Sequence, residues 1–125
     1  MKILLLISAF LLTFIGIGHS YLGERYILIR LFKRGNLPKT FGGEEFTRKT
    51  LRFAWHITTI AWWGFAAILV LMAYSALNFQ NVAMTLAITF LLSFAMVMIG
   101  SKGKHWAWMV FLVVGVVCLW AAIYG

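Results

Sequence analysis

Three histidines, His19, His56 and His105, and one carboxylate, Glu24, are the side chains in this sequence best suited to chemistry. Each histidine stands at the edge of an apolar run, and Glu24 follows His19 by about one helical turn. Imidazole nitrogens with a carboxylate oxygen make a donor set for zinc, copper or iron, with zinc–nitrogen bonds of ~2.0–2.1 Å. Two imidazoles, such as those of His56 and His105, would also serve as axial ligands to a haem. No histidine pair has the i, i+4 spacing of a zinc-binding HExxH helix, so any metal ion or haem would have to be held by residues brought together in the fold. The commoner role of a histidine at a membrane boundary is packing, with one edge reaching water. Titration near neutral pH adds a proton relay as a third role.

Other residue patterns suggest weaker chemistry. Trp62 and Trp63 lie roughly 12 Å deeper than Ala54 along a helix, beyond the depth of an interfacial aromatic belt. With Thr59 they are candidates for a pocket wall, and His56 and Trp63, seven apart, share one helix face. Thr85, Thr89 and Ser93 recur at i, i+4 and i+8, which suits either a pore lining or close helix packing. The turn Ser101-Lys102-Gly103-Lys104 precedes an apolar helix and could meet a phosphate, although it lacks the spacing of a nucleotide-binding loop. Arg25, Arg30, Lys102 and Lys104 are the expected contacts to lipid headgroups or anions. Cys118 is the one cysteine and has no partner for a disulfide or a thiolate site. The three acids are Glu24, Glu44 and Glu45. None falls within an apolar span, which disfavours proton- or sodium-coupled transport. No nucleophile–base pair stands out, so the expectation is a non-enzymatic protein.

The elements that position these residues follow from composition. In 125 residues, 63% are hydrophobic and 11% charged, against about 45–50% and about 25% in soluble domains. Such a chain cannot cover its surface with polar atoms in water. Four apolar stretches approach the ~20 residues needed to cross ~30 Å of hydrocarbon, at about 3–19, 54–77, 82–100 and 106–124. The formal charge is +8. Its basic residues flank the spans, which points to the lipid bilayer and anionic headgroups as partners, and not to nucleic acid.

Arg25, Arg30, Lys33, Arg34, Lys39, Arg48, Lys49 and Arg52 fall in the connection 20–53, and Lys102 and Lys104 in the connection 101–105. Only Lys2 of the eleven basic residues lies on the other side. Cytoplasmic loops collect Lys and Arg, so these two loops are expected in the cytoplasm and both termini outside. The first span, preceded by Lys2 and holding Gly16-Ile17-Gly18, resembles a signal peptide. Removing it would put the basic loop outside, so it is read as a retained helix. Within the long loop, Leu22, Tyr26, Ile29 and Phe32 or Lys33 form an apolar stripe that predicts an amphipathic helix over 20–34 in the headgroup layer. Gly35-Asn36-Leu37-Pro38 breaks it, Phe41-Gly42-Gly43 is a second flexible point, and Glu44-Glu45 suit the start of the next helix.

Three stretches carry a resemblance. His19-Ser20-Tyr21-Leu22-Gly23-Glu24-Arg25, Leu51-Arg52-Phe53-Ala54-Trp55-His56 and Lys102-Gly103-Lys104-His105 resemble those of a group of small four-span bacterial inner-membrane proteins with no established activity. The resemblance implies fold and location only. The expected fold is therefore all-α: a polytopic membrane protein, a four-transmembrane-helix up-down bundle in one domain over 1–125, with an amphipathic interfacial helix in the first cytoplasmic loop. The expected function is action through helix contacts, as a homo-oligomer or with a membrane-protein partner as an accessory subunit. A metal- or haem-binding protein and a small oligomeric channel or transporter are the alternatives.

Overall fold

The computed structural model describes residues 1–41 and 43–125. Four helices carry the fold: α1 over Lys2–Phe32, α2 over Glu44–Ala73, α3 over Phe79–Ser101 and α4 over Ala107–Tyr124. All four are long and apolar enough to cross a membrane.

Successive helices run antiparallel. Lys2 Nζ lies 4.1 Å from the centroid of the Tyr74 ring, at one end of the α1–α2 pair, and the rings of His19 and Trp55 stack at the other. Gly64 meets Thr89, and Gly100 meets Phe53, along α2 and α3. Phe90 with Phe111 and Phe94 with Trp108 do the same for α3 and α4. The packing follows chain order: α1 on α2, α2 on α3, α3 on α4, with no other extensive helix pair among the described residues. The up-down arrangement is thus an open row.

What this row buries is mostly small. Ala9 and Gly16 of α1, Thr59, Ala66 and Ala73 of α2, Ala83, Ala87 and Ser93 of α3, and Gly115 of α4 are buried. Large apolar side chains such as Phe10, Phe14, Phe65, Val113 and Trp120 are exposed. In water this would be inside-out. In lipid, apolar side chains gain little by leaving the solvent, and small residues let helices approach closely enough for dispersion contacts. Gly64 and Gly115 show the constraint: a Cβ would stand 2.6 Å from Thr89 Oγ1 and 2.8 Å from Leu91 Cγ, respectively.

The turns follow local chemistry. Asn78 caps α3 by accepting from the Asn81 amide at 2.8 Å, while Asn81 Nδ2 donates to the Ala76 carbonyl. Lys102 and Gly103 take left-handed backbone after α3, and the Gly103 amide reaches back to the Met98 carbonyl at 3.0 Å.

The amphipathic segment departs from expectation. It is not a separate helix, because α1 runs on unbroken through it. Gly23–Leu28 forms a wider π turn, in which the Ile29 amide bonds to the Glu24 carbonyl. An extra residue in one turn rotates the downstream part of the helix by about 100°. Of the expected stripe, Leu22, Tyr26 and Ile29 are exposed, whereas Phe32 is turned inward and buried with Leu28. They pack with Leu37, Leu31 and Trp55 where the chain folds back onto α2. Two guanidinium groups lie over the Phe32 ring, Arg48 at 5.8 Å and Arg52 at 5.1 Å from its centroid. The chain leaves helix after Phe32, ahead of the expected Gly35–Pro38 break. Glu44 opens α2 as expected. Of the second flexible point, Gly42 lies outside the described residues.

Candidate functional site

The polar residues gather where α1 meets α2, at the basic end of the row. Gly16, His19, Ser20 and Glu24 come from α1, and Arg52, Trp55, His56, Thr58, Thr59 and Trp63 from α2. Glycine makes the approach possible at two levels. A Cβ on Gly16 would stand 2.9 Å from Trp63 Nε1, and one on Gly23 would stand 2.1 Å from Trp55 Nε1. Only a residue without a side chain fits under either indole.

Two hydrogen-bonded groups result. In the first, Thr58 donates to the Trp55 carbonyl at 2.6 Å, so its oxygen is free to accept from His19 Nε2, 2.9 Å away. That assignment makes His19 the Nε2–H tautomer. Its ring lies flat on Trp55, with centroids 4.5 Å apart and an interplanar angle of 1°, and Trp62 tilts against it at 4.8 Å. Trp55 Nε1 donates to the His19 carbonyl at 3.0 Å, closing the pair in both directions.

The second group is a chain. Thr59 donates to the Gly16 carbonyl at 3.2 Å, and Ser20 Oγ is 2.8 Å from Thr59 Oγ1 and 2.9 Å from His56 Nδ1. His56 Nε2 is 3.4 Å from Glu24 Oε2. Arg52 grips the same carboxylate with Nη2 to Oε1 at 2.9 Å and Nε to Oε2 at 3.2 Å, the two-pronged geometry that favours arginine. With Thr59 donating to Gly16, each hydroxyl in turn accepts from the next, so His56 Nδ1 must be a donor. Nε2 can then bond Glu24 only if it too carries hydrogen. All the contacts are satisfied together by the imidazolium ring. A neutral ring gives up one contact, at the Glu24 end or at the Gly16 end. The chain thus ties α1 to α2 through linked hydrogen bonds from Gly16 to Glu24.

The four expected metal donors are not assembled. Among the described residues no three His, Cys, Asp or Glu side chains converge on a point that could hold a metal ion. His56 and Glu24 meet, but both nitrogens of His56 are engaged. His19 is turned into its aromatic stack. His105 lies on another face of α2, stacked on Phe46 at 5.6 Å and edge-on to Phe53 at 5.0 Å, with Nδ1 accepting from the Ala107 amide at 3.2 Å. Equal depth along the helix axes placed the histidines at one end. The order of helices in the row kept His105 apart.

The expected pocket residues divide likewise. Trp63 lines a cavity of about 660 Å³ between α2 and α3, together with His56 on the same face. Thr59 is buried against α1 instead, and Trp62 covers His19. The hydroxyls of Thr85, Thr89 and Ser93 each donate to the carbonyl four residues earlier at 2.8 Å. Thr85 and Thr89 border a space of only about 150 Å³ beside Gly64, which is packing geometry. Arg25 and Arg30 are exposed around the Tyr26 ring, at 5.8 and 5.5 Å, and Lys102 and Lys104 are exposed at the turn before α4. Ser20, Arg52 and Thr58 are the site residues that sequence spacing missed. Their partners lie 28 to 39 positions away, and no local pattern marks such pairs.

Glu45, exposed near the start of α2, pairs with Lys49. The hydrogen bond from Lys49 and its charge hold this carboxyl below the usual carboxylate range. The positive charges of Lys104 and Lys102 add smaller effects in the same direction. Comparison with protein-family models, curated proteins and solved structures returns no match to the chain.

Proposed function

We propose that the protein is a non-enzymatic component of a bacterial inner membrane that acts through helix contacts, as a homo-oligomer or as an accessory subunit of another membrane protein. The observation that carries this reading is the open row. α1 packs extensively on α2 alone and α4 on α3 alone, so each end helix offers a full face to whatever lies beside it. The groups suited to chemistry support the same reading, because they are engaged with one another across the α1–α2 seam. In the proposed orientation the basic end faces the cytoplasm and both termini face outward, as the distribution of Lys and Arg favours. The exposed Tyr21, Leu22, Tyr26 and Ile29, flanked by Arg25 and Arg30, then lie in the headgroup layer.

Native mass spectrometry of the full chain, released from its membrane in a mild detergent, tests the proposal. The expected result is a discrete species of two or more copies, or a complex with a second membrane protein in fixed ratio. A lone monomer under the same release would overturn it.

A further inference from the structure

The cavity between α2 and α3 has a chemical polarity of its own. Its volume of about 660 Å³ falls in the range of ligand sites, about 300–1,000 Å³. Lys49, Arg52 and His56 stand at its basic end, and Trp63 and Met96 are among the residues that continue it as an apolar channel. From Lys49 to Trp63 the groove follows α2 for about 21 Å. One leaflet of hydrocarbon is about 15 Å deep, half of the ~30 Å core. The groove therefore has the depth of one headgroup plus one acyl chain. Its far end is fixed, because Trp63 Nε1 donates to the Thr13 carbonyl at 3.3 Å.

Charge at the mouth sets the class of occupant. Arg52 shares Glu24 with His56, and Lys49 shares Glu45. Lys104 lines the adjoining cavity together with Lys49 and Glu45. Cations outnumber acids there, and a headgroup of net negative charge fits where a zwitterionic one would set its own cation against them. We propose that this groove holds one acyl chain of an anionic phospholipid, with the lipid phosphate seated against Lys49 and Arg52. The inference is independent of the assembly proposed above, since a single chain completes the groove.

Electron spin resonance on the full chain in phosphatidylcholine vesicles tests it, using trace spin-labelled phosphatidylglycerol, phosphatidylcholine or stearic acid. The motionally restricted fraction of label is the readout. Restricted phosphatidylglycerol is expected to exceed phosphatidylcholine, and Lys49→Gln or Arg52→Gln should each lower that preference about fivefold. Ala95→Phe, which fills the channel below the mouth, should abolish it. Arg30→Gln, equally basic but outside the groove, should leave it unchanged. Circular dichroism and elution volume show which variants are folded, and Lys49→Gln, with a partly exposed side chain, suffices if Ala95→Phe does not fold. Equal restriction of the two phospholipids, no effect of Lys49→Gln, an equal effect of Arg30→Gln, or stearic acid held above phosphatidylglycerol would each overturn the proposal.

Discussion

Replacing Gly23 by alanine examines how α1 is fastened to α2. The added Cβ would fall 2.1 Å from Trp55 Nε1, 2.3 Å from Cε2 and 2.6 Å from Cζ2, so the whole indole must move. Moving it breaks the 3.0 Å hydrogen bond to the His19 carbonyl and the flat stack on the His19 ring. A hydrogen bond between membrane helices is worth about 0.6 kcal/mol on average, and an aromatic pair about 0.5–1.5 kcal/mol beyond its buried area. These losses come to about 1–2 kcal/mol, and the ~1 kcal/mol by which alanine exceeds glycine in helix propensity offsets part of them, so the expected net cost of Gly23→Ala is about 0–1 kcal/mol. Unfolding in mixed micelles with rising dodecyl sulfate, followed by circular dichroism, measures it. The decisive comparison is the same substitution in a Trp55→Ala background, where the obstructing ring is gone. There Gly23→Ala should be neutral or stabilising. An equal cost in both backgrounds would refute the packing argument and assign Gly23 to the π turn itself.

Three further outcomes are expected. Ser20→Ala leaves His56 Nδ1 and the buried Thr59 hydroxyl without their shared partner, and should destabilise by about 1–3 kcal/mol. Ser8→Ala, whose hydroxyl bonds only its own helix on an exposed face, should change the same unfolding midpoint little. Gly64→Val puts a branched side chain against Thr89 and should lower the midpoint by parting α2 from α3, and Thr89→Ser in the same chain should recover part of the loss. The lowered carboxyl of Glu45 makes its pairing with Lys49 fully present above the usual carboxylate range and lost as pH falls through the lowered one. Wild type should therefore be slightly more stable than Glu45→Gln near neutrality and lose that margin on acidification, so that the two behave alike once Glu45 is protonated.

The four long apolar helices were legible because each is a run of apolar residues long enough to need no partner to identify it. The order of the helices across the row was not legible, but the antiparallel run of the second and third was, since the Asn78–Asn81 connection is too short for anything else. The helix ends were less so: α2 stops at Ala73 and α3 starts at Phe79, because Ser75 takes left-handed backbone and Asn78 is a better cap than any later residue. Within the amphipathic stripe, Phe32 was misplaced for a definite reason. A helical wheel assumes one spacing throughout, and the π turn at Gly23 changes it where the stripe begins. The histidine set was half legible. His56 with Trp63 on one face did mark the cavity wall, and Glu24 did reach His56. His105 did not join them, because depth along a helix axis is written in the sequence and position across the row is not.

In the proposed function the end helices of this open row are covered by protein. A photo-crosslinking residue placed in turn at Phe14 on α1 and Val113 on α4, both exposed on the spanning helices, tests it in the living membrane, with the fully buried Ala87 as the inward control. A discrete adduct is expected at one of the outward positions, one chain heavier or joined to a second membrane protein, and none at residue 87. Irradiation that leaves only the monomer at both outward positions would contradict it.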